Sequence, residues 1–289
     1  MAETRSPKSS RIGQIPLLVK VSFGFVVLFV LFALLTPFLT GVDPRATDLM
    51  GRLKPPSFTE GGLPQYPLGT DARGRDLLTR LAVGAQITLL VAIIGTVIGA
   101  VFGSALGLLA AARRGGPEAV IVTAIDVQAS LPIIIVALFV LAMFDNSFVL
   151  FLLLVGFNGW EAYARLVRAA TLSAKEQGYV TAQRVLGASG LRVYLRHILP
   201  NVFNVIMVQF TINLPQTVLL ETALSFLGLG IQPPMTSLGQ IMNEGRDRLL
   251  TGWWLTLLPG ALIFLLALSV SLIGDWMRDR LDPTLHNRT

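Results

Sequence analysis

The chain has 289 residues, 53% of them hydrophobic and 14% charged, with a net charge of +6 and a mean hydropathy of +0.67. A soluble domain is about a quarter charged, so this composition points to lipid and away from nucleic acid, and the basic excess reads as topogenic. There is no cysteine, and His197 and His286 stand far apart, which excludes disulfides, thiolate chemistry and any evident metal site. The sequence contains no phosphate loop, no HExxH and no GxSxG, so any ATP used is bound by another chain.

Runs free of Asp, Glu, Lys and Arg cover 21–42, 81–112, 127–144, 146–160, 197–220 and 249–274. A spanning helix needs about 20 largely apolar residues. Six spans are expected, the third and fourth completed by helix ends carrying Asp126 and Glu161. The first part of the second run, Leu81–Thr88, is expected near the membrane surface. Arg5, Lys8, Arg11 and Lys20 precede span one. With the N-terminus in the cytoplasm, the inside segments hold 15 Lys and Arg (5, 8, 11, 20, 113, 114, 165, 168, 175, 184, 192, 196, 278, 280, 288) and the outside segments 8 (45, 52, 54, 73, 75, 80, 246, 248). This bias places both termini inside. The expected fold is all-α and polytopic. Residues 1–20 form a cytoplasmic tail, 21–42 the first helix and 43–80 an external loop. Residues 81–275 form a five-helix core, and 276–289 a cytoplasmic tail. Residues 222–252 form a second external loop, and 165–198 the largest cytoplasmic one. Trp253, Trp254 and Trp276 are expected to act as an aromatic belt.

Span two carries Gly95, Gly99, Gly103 and Gly107 at a spacing of four, a smooth stripe that lets another backbone come close. Packing within the subunit and a seam between subunits both fit. Asp126 is expected at the N-terminal end of span three, where an acid faces the positive end of the helix dipole; a transport role is the alternative. Span five holds Pro215 and the polar residues Gln209, Asn213 and Gln216, three or four apart on one face. They either bond between helices or line a solute path. Glu221 ends this span as an interfacial carboxylate or the partner of an arginine. In the first external loop, Asp71, Arg73, Arg75, Asp76 and Arg80 make a dense charge set. Local pairing or solvation is one reading; a docking surface through Asp71, Arg73, Arg75 and Asp76 is the other.

The stretch VTAQRVLGASGLRVYLRHILPN (180–201) lies in the large cytoplasmic loop. Ala182, Val185 and Leu186 share a side of one short helix, Gly187 and Gly190 can turn the chain, and Leu191, Tyr194, Leu195 and Ile198 recur at helical spacing. An amphipathic helix resting on anionic lipid and a helix docked on a partner predict the same pattern. The G-A-S-x-x-R-x-x-x-R-H-I-L-P-N pattern resembles the cytoplasmic loop of ABC importer permeases. Four further segments resemble the C-type permease subunit of dipeptide, oligopeptide and nickel importers: PLGTDARGRDLLTRL (67–81), WEAYARLVR (160–168), ETALSFLGLGIQPP (221–234) and GDWMRDRLDP (274–283). Together the matches run from 67 to 283.

The resemblance implies a type I importer transmembrane domain that is not itself an enzyme, in a bacterial inner membrane. It implies a second homologous permease subunit, two ATPase subunits carrying ATP and Mg, and an extracytoplasmic solute-binding protein, with no cofactor in this chain. The loop at about 175–198 would couple to an ATPase through Ala182, Gln183, Arg184, Gly187 and Ala188. Thr181, Ala182 and Gln183 stand where the family usually has Glu-Ala-Ala. That contact is therefore expected to rest on shape and apolar packing, with Arg184 as a polar contact. Peptides are the commonest cargo of such subunits; nickel chelates, glutathione, opines and short sugars are alternatives. A secondary transporter or channel is the reading from another class, and the lack of acids deep in the six runs counts against it. A membrane enzyme is the weakest of the three.

Overall fold

A computed structural model describes residues 15–144, 147–178 and 189–281, all of them helix, turn or loop apart from one isolated β-bridge. The main helices are α1 (Leu17–Thr40), α2 (Leu77–Ala112), α3 (Gly116–Ser130), α4 (Ile133–Met143), α5 (Phe148–Gly156) and α6 (Trp160–Lys175). One turn at Gly190–Val193 and a π-helical stretch at Tyr194–Ile198 lead into α7 (Leu199–Phe226); α8 (Leu238–Gly245) and α9 (Trp254–Leu281) follow. Five segments are long and apolar enough to cross a membrane. These are α1, α2, α5 with α6, most of α7, and α9. The pair α3 and α4, bent by 88°, makes a sixth if the two cross together as one broken span.

Local chemistry sets these boundaries. Asp76 caps α2, accepting from Thr79 N at 2.8 Å and Thr79 Oγ1 at 2.6 Å, which satisfies donors that the first turn leaves free. Gly41, at φ +60°, closes α1. Ser147 and Ser237 cap α5 and α8. Pro132 follows Leu131, which it holds out of the helical region at ψ 128°, and the bend falls there. Asp126 consequently lies near the end of α3, not at its start. Glu118 occupies the first turn of α3 and Glu161 that of α6. The expected dipole role therefore passes from Asp126 to these two acids.

Helix α2 is the central element. It rises about 54 Å at 1.5 Å per residue, well beyond a hydrocarbon core of about 30 Å. Its first turns, including Leu81–Thr88, stay helical and are held under α8: Leu238 N donates to Thr88 Oγ1 at 3.2 Å. Its inner half packs most closely on α6. The glycine stripe is the reason. A Cβ at Gly99 would come 2.9 Å from Gly156 O, at Gly103 2.2 Å from Trp160 O, and at Gly107 2.5 Å from Ala164 O. Packing within the subunit thus accounts for the stripe. Helix α1 leans on α2 and α9, and most of its apolar surface is open, as a lipid-facing helix requires. The segment after α7 is seated on protein, with Ile231 buried beside Phe151.

Candidate functional site

The outer face is organised by buried charge. Arg80 is 1% exposed and donates from Nη1 to Asp71 Oδ2 at 2.5 Å and to Glu244 Oε2 at 2.8 Å, and from Nη2 to Glu244 Oε1 at 3.2 Å. Arg75 donates to the same two carboxylates, from Nε to Asp71 Oδ2 at 2.6 Å and from Nη2 to Glu244 Oε2 at 2.9 Å. Two guanidiniums and two carboxylates thus close a neutral network that joins the first external loop, α2 and α8. The other oxygen of Asp71 accepts from the backbone of Arg73 and Arg75. The loop itself is tight. Gly74, at φ +74°, lies so close to Asp48 that a Cβ would come 1.7 Å from its carbonyl. Partial burial and the Asp48 carboxylate to which it donates hold the Tyr66 phenol above its ordinary pKa. Trp254 Nε1 donates to Thr70 O at 3.1 Å and pins the loop to α9.

In the membrane, Asn213 is buried. Its Oδ1 accepts from Thr217 Oγ1 at 3.0 Å, and Thr217 in turn meets Thr96 of α2 at 3.2 Å. A Cβ at Gly159, φ +81°, would come 2.0 Å from Asn213 Nδ2. Gln216 is instead exposed, on a groove of about 460 Å³ between α7 and α9 that also holds Thr211, Ser271 and Asp275. Gln209 is half-buried. Glu221 is fully buried at the outer end of α7, where Oε1 accepts from Ser225 Oγ at 2.7 Å and the hydroxyls of Thr88, Thr222 and Ser237 lie around it. It pairs with no arginine among the described residues.

On the inner face the flanks of the large loop converge on the end of α2. Lys175 Nζ donates to Ala111 O, Tyr194 Oη donates to the same oxygen at 3.4 Å, and the ammonium lies 5.0 Å from the Tyr194 ring centroid. A cation beside the last carbonyls of a helix satisfies orphan acceptors and meets the negative end of the dipole. Arg168 grips Glu118 at 2.5 and 3.0 Å. Arg165 and Asp126 form a looser, exposed pair at 3.6 Å.

Residues 103–287, more than half of the chain, match the family model described as "Binding-protein-dependent transport system inner membrane component". The chain is 38% identical over 265 residues to the di/tripeptide transport system permease protein DppC of Pseudomonas aeruginosa, spanning 91% of this chain and 87% of that one. This protein belongs to the binding-protein-dependent transport permeases. A dipeptide transport permease DppC of Haemophilus influenzae is 34% identical over 90% of this chain and 88% of its own. A glutathione transport permease GsiD of Pectobacterium atrosepticum is 34% identical over 90% and 85%. Solved inward-facing conformations of the MetNI methionine ABC transporter share the fold, at a TM-score of 0.57 and 20% identity over 70% of this chain and 96% of that one. The permease is therefore a multi-pass inner-membrane protein with the type I importer architecture.

Several expectations change in this permease. Asp71 and Asp76, expected on a docking surface, are 1% and 5% exposed. One is spent on two arginines and the other on a helix cap, so neither offers its carboxylate to a partner. Arg75 is largely inside as well, and Arg73 alone of the four stands exposed. Gln209, Asn213 and Gln216 do not act as one face. Three residues turn a helix about 300°, which leaves a 60° offset, and the burial boundary falls inside that offset. Trp254 is not a belt residue; its indole is buried against the loop. Trp276, edge-on to Phe23 at 6.4 Å and under Arg280, joins the inner ends of α1 and α9. Ala182, Gln183, Arg184, Gly187 and Ala188 lie outside the described residues. Sequence reasoning missed Glu244, which reaches Arg80 across 164 residues, and the cap that Lys175 and Tyr194 place on α2. Neither has a local sequence signal.

Proposed function

We propose that this permease is one of two pore-lining subunits of an ATP-driven importer of di- and oligopeptides. A second homologous permease completes the pore, two ATPase subunits bind ATP and Mg inside the cell, and a solute-binding protein delivers cargo outside. The chain itself carries no catalytic residue and no cofactor. The observation that supports peptide cargo is the 38% identity, over nine-tenths of the chain, to a relative named for di- and tripeptides. Glutathione is the second reading, favoured by the relative named for that tripeptide-like solute.

The loop at about 175–198 seats on an ATPase through Ala182, Gln183, Arg184, Gly187 and Ala188. Its flanks are tied to α2 at Ala111, so displacement of the loop moves α2, α6 and α7 together. Alternating access then follows from the ATPases binding one arrangement of these helices better than the other. Gln216, on the open groove, and the half-buried Gln209 remain on the solute path in this reading.

The test is uptake by proteoliposomes holding the complete complex and its binding protein. ATP-dependent accumulation of labelled dipeptide, above that of glutathione or nickel–histidine, is the expected result; preference for either of the others overturns the cargo assignment. In the same vesicles Gly187→Arg and Ala182→Asp are expected to abolish uptake while the complex stays inserted and its basal ATP hydrolysis persists. Normal uptake in both variants counts against the coupling role.

A further inference from the structure

An open cavity of about 410 Å³ lies beside the buried charge network of the outer face. Arg73 and Arg75 of the first external loop line it, together with Glu244, Asp247, Arg248 and Thr251 at and beyond the end of α8. Arg75 and Glu244 are paired at 2.9 Å and tied to Asp71 and Arg80, so their charges cancel. The charges left over are of both signs. Among the described residues, Arg73 and Arg248 have no carboxylate within ion-pair reach. Asp247 meets Arg246 at 3.5 Å with its side chain 84% exposed, and an exposed pair of this kind exchanges cheaply for another cation. Two free guanidiniums, one nearly free carboxylate and the Thr251 hydroxyl thus share one bowl. The backbone under them is fixed. Asp71 Oδ1 accepts from the N–H of Arg73 at 2.7 Å and of Arg75 at 3.0 Å, and Arg248 O accepts from Gly252 N at 2.6 Å.

We propose that this cavity is a receiving site for the two termini of a short peptide, with the carboxylate end on Arg73 and Arg248 and the ammonium end on Asp247; the inference rests on the importer reading above. A ligand of one sign uses only part of this lining. A phosphate is drawn by the arginines and pushed off by Asp247, and a simple cation meets the reverse. A zwitterion satisfies both. The guanidinium fork takes a carboxylate through two parallel N–H···O bonds, and the ammonium, which only donates, needs the acceptor that Asp247 supplies. The volume falls within the range of about 300–1,000 Å³ usual for small-molecule sites. The bowl is open, so the side chains of the peptide stay in water and only its ends are read. Such a site takes peptides of any sequence. Glutathione, which carries a second carboxylate beside its ammonium, brings that charge against Asp247 and fits less well.

The experiment uses the full complex in uncharged maltoside detergent, without the binding protein, and follows the binding of alanyl-phenylalanine by saturation-transfer NMR. The half-saturating concentration is expected to rise roughly tenfold in R73Q/R248Q and roughly fivefold in D247N. R73K/R248K and D247E keep the charges and stay near the wild-type value. The N-acetylated and the C-amidated forms of the same dipeptide each bind at least fivefold more weakly, as an electrostatic site for both ends requires. None of the substituted residues belongs to the buried network, so the melting of the complex stays as in the wild type. Equal binding by wild type, R73Q/R248Q and D247N overturns the proposal. So does binding that survives the blocking of either terminus. Phosphoethanolamine, the headgroup with the same two charges, competes poorly if the site is built for peptides; displacement of the dipeptide at lower concentration than the dipeptide itself needs assigns the cavity to lipid and overturns the proposal too. A wild-type complex that binds no dipeptide here, yet accumulates it in vesicles with its binding protein, overturns the receiving site alone. Vesicles that accumulate no dipeptide overturn the importer reading beneath it.

Discussion

The outer and inner faces of this permease hold their charges in opposite ways. Outside, Arg80 and Asp71 have side chains 1% and 2% exposed and share Glu244 and Arg75 in one closed network. Inside, Arg165 and Asp126 are 57% and 67% exposed and 3.6 Å apart, and Arg168–Glu118 is partly open. Buried ions must all be satisfied at once, so they fix one geometry. Exposed pairs contribute about 0–1 kcal/mol and can exchange partners cheaply. The outer network is thus closed within this chain, while the inner pairs are weak enough to exchange partners.

The comparison breaks most sharply at Arg80. Arg80→Met leaves Asp71 and Glu244 facing each other with only Arg75, and is expected to cost about 3–5 kcal/mol. The check is a large downward shift in the temperature at which the solubilised complex loses monodispersity; a shift no greater than that of a surface variant contradicts the network. Next comes the seam between α2 and α6. Gly103→Ala must push Trp160 O away and is expected to cost about 1–3 kcal/mol. Gly24→Ala, with open space around it, is expected to be neutral or slightly stabilising in the same assay. Lys175→Met removes the cation from the α2 terminus and is expected to cost about 1 kcal/mol. It should show as faster amide exchange in the turn after Ala111. Arg165→Ala is expected to change stability by less than about 0.5 kcal/mol; a loss as large as that at Arg80 erases the contrast between the faces.

What the sequence revealed followed from composition and period. Charge-free runs located the five long apolar helices and the bent α3–α4 pair because lipid forbids unpaired backbone and charge alike. The glycine spacing marked a close helix contact before its partner was known. Asp126 misled because α3 starts at Gly116, eleven residues before the apolar run; its N-cap Gly115 and its Pro117 lie in a polar stretch. The α7 polar residues misled because a periodicity argument cannot place a burial boundary inside one 60° sector. The outer network was invisible because Arg80 finds Glu244 through tertiary packing, and no local rule joins residues so far apart. In the cytoplasmic loop, the basic, Gly-broken pattern left lipid and partner open, and only the family motif separated them.

Helix α2 is a single beam with an anchor at each end. Asp76 fastens one end beneath the charge network, Ala111 receives Lys175 at the other, and four glycines press its length against α5 and α6. No proline interrupts it. Such a beam has no joint at which a push could be absorbed, so it answers to force as a seesaw does. Tilting its cytoplasmic end must swing its outer end the other way, and one stiff member can hold only one inclination at a time. Under the importer reading proposed above, the stiffness of this 36-residue helix would keep the pore from opening to both sides together.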